Sequence, residues 1–151
     1  MGEEVGGTVG YCVHFDDNTS DDTRLRYMTD GMLLREATGS PALLRYSVVI
    51  VDEASMIDLP LMAKLADALP DHGRLVLLGD RYQLASVESG SVLAELAAAA
   101  GVNDFTPTQR AALAPLVPAA PDAAAPDRPL ADHVVTLQTS HRFSPESPIG
   151  R

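Results

Sequence analysis

The chain has 151 residues, a formal net charge of −10 and a single cysteine, Cys12. This length is enough for one domain with a hydrophobic core, and a hydrophobic content of 46% with 21% charged residues is typical of a soluble globular protein. The negative charge disfavours an autonomous nucleic-acid binder, and one cysteine excludes an internal disulfide or a thiolate metal cluster. No apolar run approaches the roughly 18 residues of a membrane span, and the acidic start is not typical of a signal peptide, so we expect a cytoplasmic protein.

The first third of the chain predicts two short strands and a helix. Residues 9–15 have strand-like content, and residues 16–22 (DDNTSDD) are typical of a polar turn. A short strand is expected over 24–29, and Asp30 can cap a helix over 31–37 before Pro41 interrupts it.

The central stretch is an apolar run, Val48 to Val51, that ends in two carboxylates, Asp52 and Glu53. Such a run predicts a strand buried on both faces of a parallel sheet, and ligands gather at the carboxyl ends of such strands. Two adjacent acids there suit nucleotide hydrolysis, where one holds Mg²⁺ and the other orients the attacking water. The alternative is that Asp52 only caps the helix that follows.

After the acids, the pattern alternates between helix and strand. Asp58 is a suitable N-cap with Pro60 in the first turn, and an apolar stripe follows at helical spacing. We expect a second buried strand over 74–78, a helix over 91–100, an Ala/Pro-rich linker over 106–131 with a short helix near 108–113, and a strand over 132–137. The βαβαβ order predicts a parallel α/β sheet flanked by helices.

Three motifs in this order resemble those of a known family. They are VDEASMID at 51–58, LGDRYQLASVESG at 78–90 and SHRF at 140–143. Together they resemble the second, third and fourth helicase motifs of the RecD family, the alpha subunit of exodeoxyribonuclease V. The resemblance runs from about Tyr46 to the end. It implies an incomplete RecA-like (P-loop NTPase) domain, ATP and Mg²⁺ as ligands, DNA as substrate in recombinational repair, and RecB-like and RecC-like partners.

Residues 1–46 resemble a different family. The segment that precedes the DEAH signature in DEAH-box RNA helicases is similar to the following residues of this chain: GEEV at 2–5, VGY at 9–11, FDD at 15–17, TS at 19–20, TR at 23–24 and YMTDGMLLRE at 27–36. A DEAH protein would carry His at the position of Ser55 and Glu-Arg at Met56-Ile57, so the second part departs from that pattern. The chain therefore resembles a chimera whose two parts meet in the strand that both families share, and packing between the parts is expected to be loose.

The RecD resemblance also implies roles for individual residues. Asp52, in the Walker B motif, would hold Mg²⁺, and Glu53 would activate the attacking water. Gln83 would sense the γ-phosphate. Arg142 would act as an arginine finger that neutralises charge on the transferred phosphoryl group. A surface ion pair remains an alternative for Arg142.

The DEAH resemblance implies a second set of roles, in nucleic-acid binding. Thr29, Asp30 and Gly31 would contact the nucleic-acid backbone, although helix capping explains the same residues. Asp80 has a similar alternative, since it can cap a turn instead of serving the site.

No Walker A loop, Gly-x-x-x-x-Gly-Lys-Ser/Thr, occurs in the sequence, and Lys64, the one lysine, falls within an amphipathic helix. That loop supplies most of the affinity for a triphosphate. We therefore expect a fragment of an ATP-dependent DNA helicase motor that hardly hydrolyses ATP alone. Two alternatives stay open: a DEAH-box RNA helicase fragment, and a non-catalytic α/β interaction module.

Overall fold

A computed structural model describes residues 4–39, 43–83, 92–100, 103–116 and 130–137. The elements within these ranges are β1 (Val9–Val13), β2 (Asp16–Asn18), β3 (Leu25–Met28), α1 (Asp30–Ala37), β4 (Val48–Val51), α2 (Leu59–Ala68), β5 (Arg74–Leu77), α3 (Val92–Ala100) and α4 (Pro107–Leu113). The chain divides into two compact units, residues 1–92 and 93–151. None of the helices in the described ranges has the length and apolar character that a membrane crossing requires.

The first three strands form a sheet of their own in the order β2-β1-β3, in which β1 pairs with β2 antiparallel and with β3 parallel. The turn predicted over 16–22 is therefore partly wrong, because its first three residues form an exposed strand. Phe15 makes the reversal possible with a positive φ of 67°, and the Tyr11 hydroxyl donates to Asp16 across the hairpin at 2.8 Å. Gly10 permits the close approach, since a Cβ there would lie 2.6 Å from the carbonyl oxygen of Asn18.

The second sheet consists of β4 and β5, paired in parallel from Val48 opposite Arg74 to Val51 opposite Leu77. The parallel pairing expected from the βαβ pattern is confirmed here, and the fold is mixed α/β. Within the described residues, however, β3 does not continue this sheet, because its ladder partner is β1.

Helices α1 and α2 pack on one face of β4–β5. The buried cluster joins Leu33 of α1, Leu43, Val49 of β4 and Leu65 of α2. The opposite face carries Val48 and Ile50, which are 46% and 58% exposed. The expectation that this strand is buried on both faces is therefore wrong, because both neighbouring helices cover the Val49 side.

The boundaries of α2 follow the sequence signals. Asp58 accepts a hydrogen bond from the amide of Leu61 at 2.8 Å, and Pro60 lies in the first turn. The helix ends at Ala68, with Leu69 extended and donating its amide to the carbonyl of Leu65. These contacts confirm the predicted cap and place α2 directly after the acidic loop.

A charged network ties β3, α1 and the segment before β4 together. Glu36 accepts hydrogen bonds from Arg26 at 2.6 Å, from Arg45 at 2.7 Å and from the Tyr46 hydroxyl at 2.7 Å. Arg26 also pairs with Asp17 of β2 at 3.3 Å. Burial, together with the hydrogen bond to Glu36, raises the pKa of Tyr46 above its ordinary value.

In the second unit, α4 begins where the sequence predicts a short helix. Thr106 caps it by accepting from the amide of Gln109 at 3.3 Å, and Asp132 accepts from both the amide and the hydroxyl of Thr106, at 2.6 and 2.7 Å. The strand predicted over 132–137 is not formed. Instead of pairing with a neighbouring strand, its backbone bonds to individual residues: Asn103 bonds to both Val134 and Thr136, and the Asp132 amide donates to the carbonyl of Asp104.

Candidate functional site

The site is built where β4 and β5 end side by side. Beyond the strands, the Leu78 amide donates to the carbonyl of Val51 at 2.8 Å, and the Ala54 amide donates to the carbonyl of Leu78, also at 2.8 Å. These two bonds hold the loop after β4 against the loop after β5. Polar residues that are distant in sequence are therefore brought to one edge of the sheet, as expected for a parallel pair.

Asp52 and Glu53 emerge at the end of β4, and both are exposed. An Asp52 carboxylate oxygen, Oδ1, accepts from the backbone amide of Glu53 at 3.0 Å. Glu53 itself has φ 52° and ψ 38°, a left-handed conformation that turns the chain into a short 3₁₀ helix, Ala54–Met56. Since Asp58 caps α2, Asp52 is not the cap of that helix, and its other carboxylate oxygen stays available for a ligand.

Gln83 lies next to this acidic loop. Its side-chain oxygen Oε1 accepts a hydrogen bond from the Ser55 hydroxyl at 3.0 Å. The turn that carries Gln83 is shaped by Asp80, which accepts from the amide of Tyr82 through its side chain at 2.9 Å and from the amide of Gln83 through its backbone at 3.1 Å. The turn-capping alternative for Asp80 is thus what the structure shows.

The N-terminal end of α1 faces the same acids across an open groove of about 530 Å³. Its lining includes the charged residues Asp30, Asp52, Glu53, Asp58 and Lys64, together with Gly31. Thr29 is the extended N-cap residue of α1 and makes no side-chain capping bond. Asp52 and Glu53, expected at a nucleotide site, therefore share one groove with Asp30 and Gly31, expected at a nucleic-acid site, and carboxylates outnumber the single lysine in its lining. Thr29 and Gln83 do not line this groove.

Two further residues, Arg142 and Ser55, bear on the predicted site. Arg142 lies outside the described residues, so its role stays a prediction. Ser55 was not among the predicted site residues, although it directly follows the Asp-Glu-Ala run and is 2% exposed. A small hydroxyl-bearing residue two positions after a pair of adjacent acids is a signal that sequence reasoning could have used.

The acids at this edge suit a hydrated magnesium ion. Among the described residues, no three acidic, histidine or cysteine side chains converge to form a protein-only metal site. Mg²⁺ does not require one, because it commonly binds through one or two carboxylates together with substrate phosphates and water. Asp52 offers such a carboxylate in solvent reach, so the donor set fits the ion that the sequence predicts.

Comparison with known proteins gives relatives of two kinds. The RecBCD enzyme subunit RecD of Haemophilus influenzae is 44% identical over 108 residues, which cover 72% of this chain and 17% of the relative. The RecD subunit of Mycobacterium tuberculosis is 52% identical over 61 residues, or 40% of this chain and 11% of the relative. The Pre-mRNA-splicing factor ATP-dependent RNA helicase DEAH10 of Arabidopsis thaliana is 65% identical over 51 residues, which cover 34% of this chain and 7% of the relative.

The chain thus spans less than a fifth of each of these relatives. The stretches matched to the Haemophilus influenzae RecD and to DEAH10 together exceed the length of the chain, so the two matches overlap. Both resemblances found in the motifs are confirmed. A model of the AAA domain matches residues 19–134, which is more than three quarters of the chain. With its parallel β4–β5 pair and the acids at its carboxyl end, the chain belongs to the AAA domain family.

Proposed function

We propose that the chain forms the acidic half of a nucleotide-hydrolysing site in a helicase motor of the RecD type. The observation that carries the proposal is the position of Asp52 and Glu53 at the end of β4, fixed beside the Gln83 loop by the hydrogen bond from Ala54 to Leu78. The RecD relatives favour DNA as the substrate.

In the proposed site each side chain has one task. Asp52 would hold Mg²⁺, which neutralises charge on the phosphates when it is bound. Glu53 would accept a proton from water as the water oxygen attacks the γ-phosphorus and the bond to the leaving diphosphate breaks. Gln83 would donate a hydrogen bond to the γ-phosphate. Arg142 would compensate the charge on the transferred group, as the resemblance implies.

The partners follow from the family and remain part of the proposal. The RecD relatives carry the name of the RecBCD enzyme, so RecB-like and RecC-like subunits are the proposed neighbours, and recombinational DNA repair in the cytoplasm is the proposed setting. The acidic groove and the net charge of −10 are unsuited to tight DNA binding by this chain alone. The DNA contact would then depend on basic surface in the rest of the motor.

An RNA helicase of the DEAH type is the second candidate, favoured by the match to DEAH10. Ser55 counts against it, because a DEAH protein would have His at this position. The Ser55 contact to Gln83 also engages a residue of the RecD-type motif. A non-catalytic interaction module is the third candidate, and it requires neither acid.

The test begins with isothermal titration of the chain with Mg-ATP, beside a thermal melt. Because the sequence holds no Walker A loop, we expect a cooperative melt and no micromolar binding. Hydrolysis is then measured in a longer protein that supplies this loop. Glu53→Gln is expected to lower turnover by about 10²–10⁴-fold while sparing binding, as for loss of a general base.

The matched control is Asp67→Asn, which removes an exposed carboxylate on α2 outside the groove lining. Turnover that is equal in the Glu53→Gln protein and its parent would eliminate Glu53 as the base. Micromolar binding by the chain alone would show that another segment replaces the loop. ATP turnover stimulated by RNA and not by DNA would favour the DEAH reading.

A further inference from the structure

Among the polar residues that the structure describes, Ser55 is the one that is buried, at 2% exposure. A buried hydroxyl group needs a hydrogen-bond partner, since leaving it unpaired is costly. Its partner is the side-chain oxygen of Gln83, 3.0 Å away, whereas the rest of Gln83 is exposed. A buried group in one loop therefore holds one end of an exposed side chain in another.

The two ends of the Gln83 amide differ chemically, so the contact with Ser55 determines which end is left free. A glutamine side chain presents an acceptor oxygen on one side and a donor NH₂ group on the other. Because the Ser55 hydroxyl occupies the oxygen of Gln83, the NH₂ group is the end left free. Phosphate oxygens accept hydrogen bonds and do not donate them, so this is the orientation that a γ-phosphate requires. The opposite orientation would point an oxygen at the phosphate.

The backbone around both residues is also fixed. Ser55 lies in the 3₁₀ turn Ala54–Met56, which is attached to the end of β5 through Leu78. Gln83 lies in the turn that Asp80 caps. The Ser55–Gln83 hydrogen bond therefore joins two turns that are each held by hydrogen bonds of their own, and it links the loop that carries the acids to the loop that carries the amide.

We propose that Ser55 is a positioning residue that sets the orientation of the Gln83 amide, so that its NH₂ group faces the nucleotide phosphates. The inference rests on the proposed function, in which Gln83 contacts the γ-phosphate. It assigns no chemical step to Ser55. It explains why a polar side chain is buried directly behind two exposed acids.

The experiment follows the side-chain amide of Gln83 by ¹⁵N NMR, first in the whole chain without nucleotide and then with Mg-ATP in a longer protein that supplies the Walker A loop. In the parent protein, the two N–H signals are expected to differ from those of free glutamine and to show restricted motion. In Ser55→Ala they should move towards free values, with order parameters below about 0.6. Ser55→Thr keeps the hydroxyl and should restore the parent signals. Thr23→Ala is the matched control, since it removes a 2.9 Å hydroxyl hydrogen bond to the carbonyl of Gly7, which joins the segments that precede β3 and β1.

Nucleotide addition tests the consequence. In the longer protein that supplies the Walker A loop, Mg-ATP should shift the Gln83 signals of the parent, and Ser55→Ala should weaken the apparent affinity about three- to tenfold, the value of one hydrogen bond. Gln83→Glu provides a second variant, because a carboxylate can still accept from Ser55 but has no donor for phosphate. This variant should lose as much affinity for Mg-ATP as Gln83→Ala does. Its melting temperature should stay closer to that of the parent than the melting temperature of Gln83→Ala.

Two results would overturn the inference. Unchanged mobility of the Gln83 amide in Ser55→Ala would show that the hydroxyl does not position it. A Ser55→Thr protein that melts like the parent yet leaves the amide mobile would show the same. If Mg-ATP moves no signal near Gln83 in the longer parent protein that supplies the Walker A loop, the proposed phosphate contact fails. The mobility data without nucleotide would still decide the role of Ser55, so the two failures are distinguishable.

Discussion

Leu43 and Leu65 lie in one buried cluster, and neither has any exposed surface. Leu43 belongs to the DEAH-like stretch 1–46 and Leu65 to the RecD-like part that follows it, and the Leu43 amide also donates to the carbonyl of Ala68 at 3.3 Å. The two stretches therefore share a core. The loose packing expected from their different family resemblances is not what the structure shows in this part of the chain.

Because the two stretches share a core, a core substitution in one stretch is expected to destabilise the other stretch as well. Leu65→Ala should lower the free energy of unfolding by about 2–5 kcal/mol, because the deleted methyl groups leave a cavity. Amide exchange should accelerate in α1 as well as in α2. Leu59→Ala is the control on the same helix, since Leu59 is 56% exposed. Faster exchange confined to α2 would show that the two stretches are packed independently.

The one-sided burial of β4 gives a second prediction. Ile50 lies on the uncovered face, so Ile50→Thr should change the free energy of unfolding by less than about 1 kcal/mol, while Val49→Ala on the covered face costs about 2 kcal/mol. Denaturant unfolding of both variants measures the difference. An Ile50→Thr protein as unstable as Val49→Ala would show that this face is covered in solution.

Local signals predicted the elements that position the site. The apolar run ending at Asp52 fixed β4, and the Asp58 cap with Pro60 fixed the start of α2, because both signals act over a few neighbouring residues. The two adjacent acids led directly to the edge of the sheet where the groove lies. Parallel pairing followed from the βαβ order.

Non-local relationships could not be predicted in the same way. The strand Asp16–Asn18 is polar and exposed, and it forms because β1 offers a ladder to it, not because of its own composition. The bare face of β4 depends on where α1 and α2 pack. The Ser55–Gln83 contact joins residues 28 positions apart, and sequence spacing contains no information on such a bond. For the same reason the residues of 132–137 were predicted as a strand from composition, although they have no partner strand among the described residues.

Tyr46 predicts a dependence of stability on alkaline pH. Burial and the hydrogen bond to Glu36 raise the pKa of Tyr46 from its ordinary 10.0, so the folded state retains the proton after the unfolded chain has lost it. This contribution is fully present below pH 10 and is lost as the pH rises from there through the higher folded-state pKa.

The measurement compares urea unfolding at pH 8 to 11 in the parent and in Tyr46→Phe. The variant should cost about 1 kcal/mol at pH 8 for the lost hydrogen bond and should show a shallower decline above pH 10. Tyr27→Phe, at an exposed tyrosine, is the control and should decline like the parent. A parent and a Tyr46→Phe protein with parallel pH curves would refute the linkage.

Glu53 has a left-handed backbone, and substitutions there separate the effect of backbone strain on stability from the effect of the carboxylate on hydrolysis. At φ 52°, a residue with a Cβ costs about 1–2 kcal/mol, and glycine avoids this cost. Glu53→Gly and Glu53→Ala both remove the carboxylate, yet the glycine variant should be more stable than the alanine variant by about 1 kcal/mol in thermal or urea unfolding. At Ala66, an exposed position inside α2, alanine should be more stable than glycine, and Ala66→Gly should lower the free energy of unfolding by about 1 kcal/mol. Both glutamate variants should lose hydrolysis equally in a protein that supplies the phosphate loop, because stability and proton acceptance are separate properties of this residue. A glycine variant less stable than the alanine variant would mean that Glu53 leaves the left-handed region in solution, and the geometry of the acidic loop would then need another explanation.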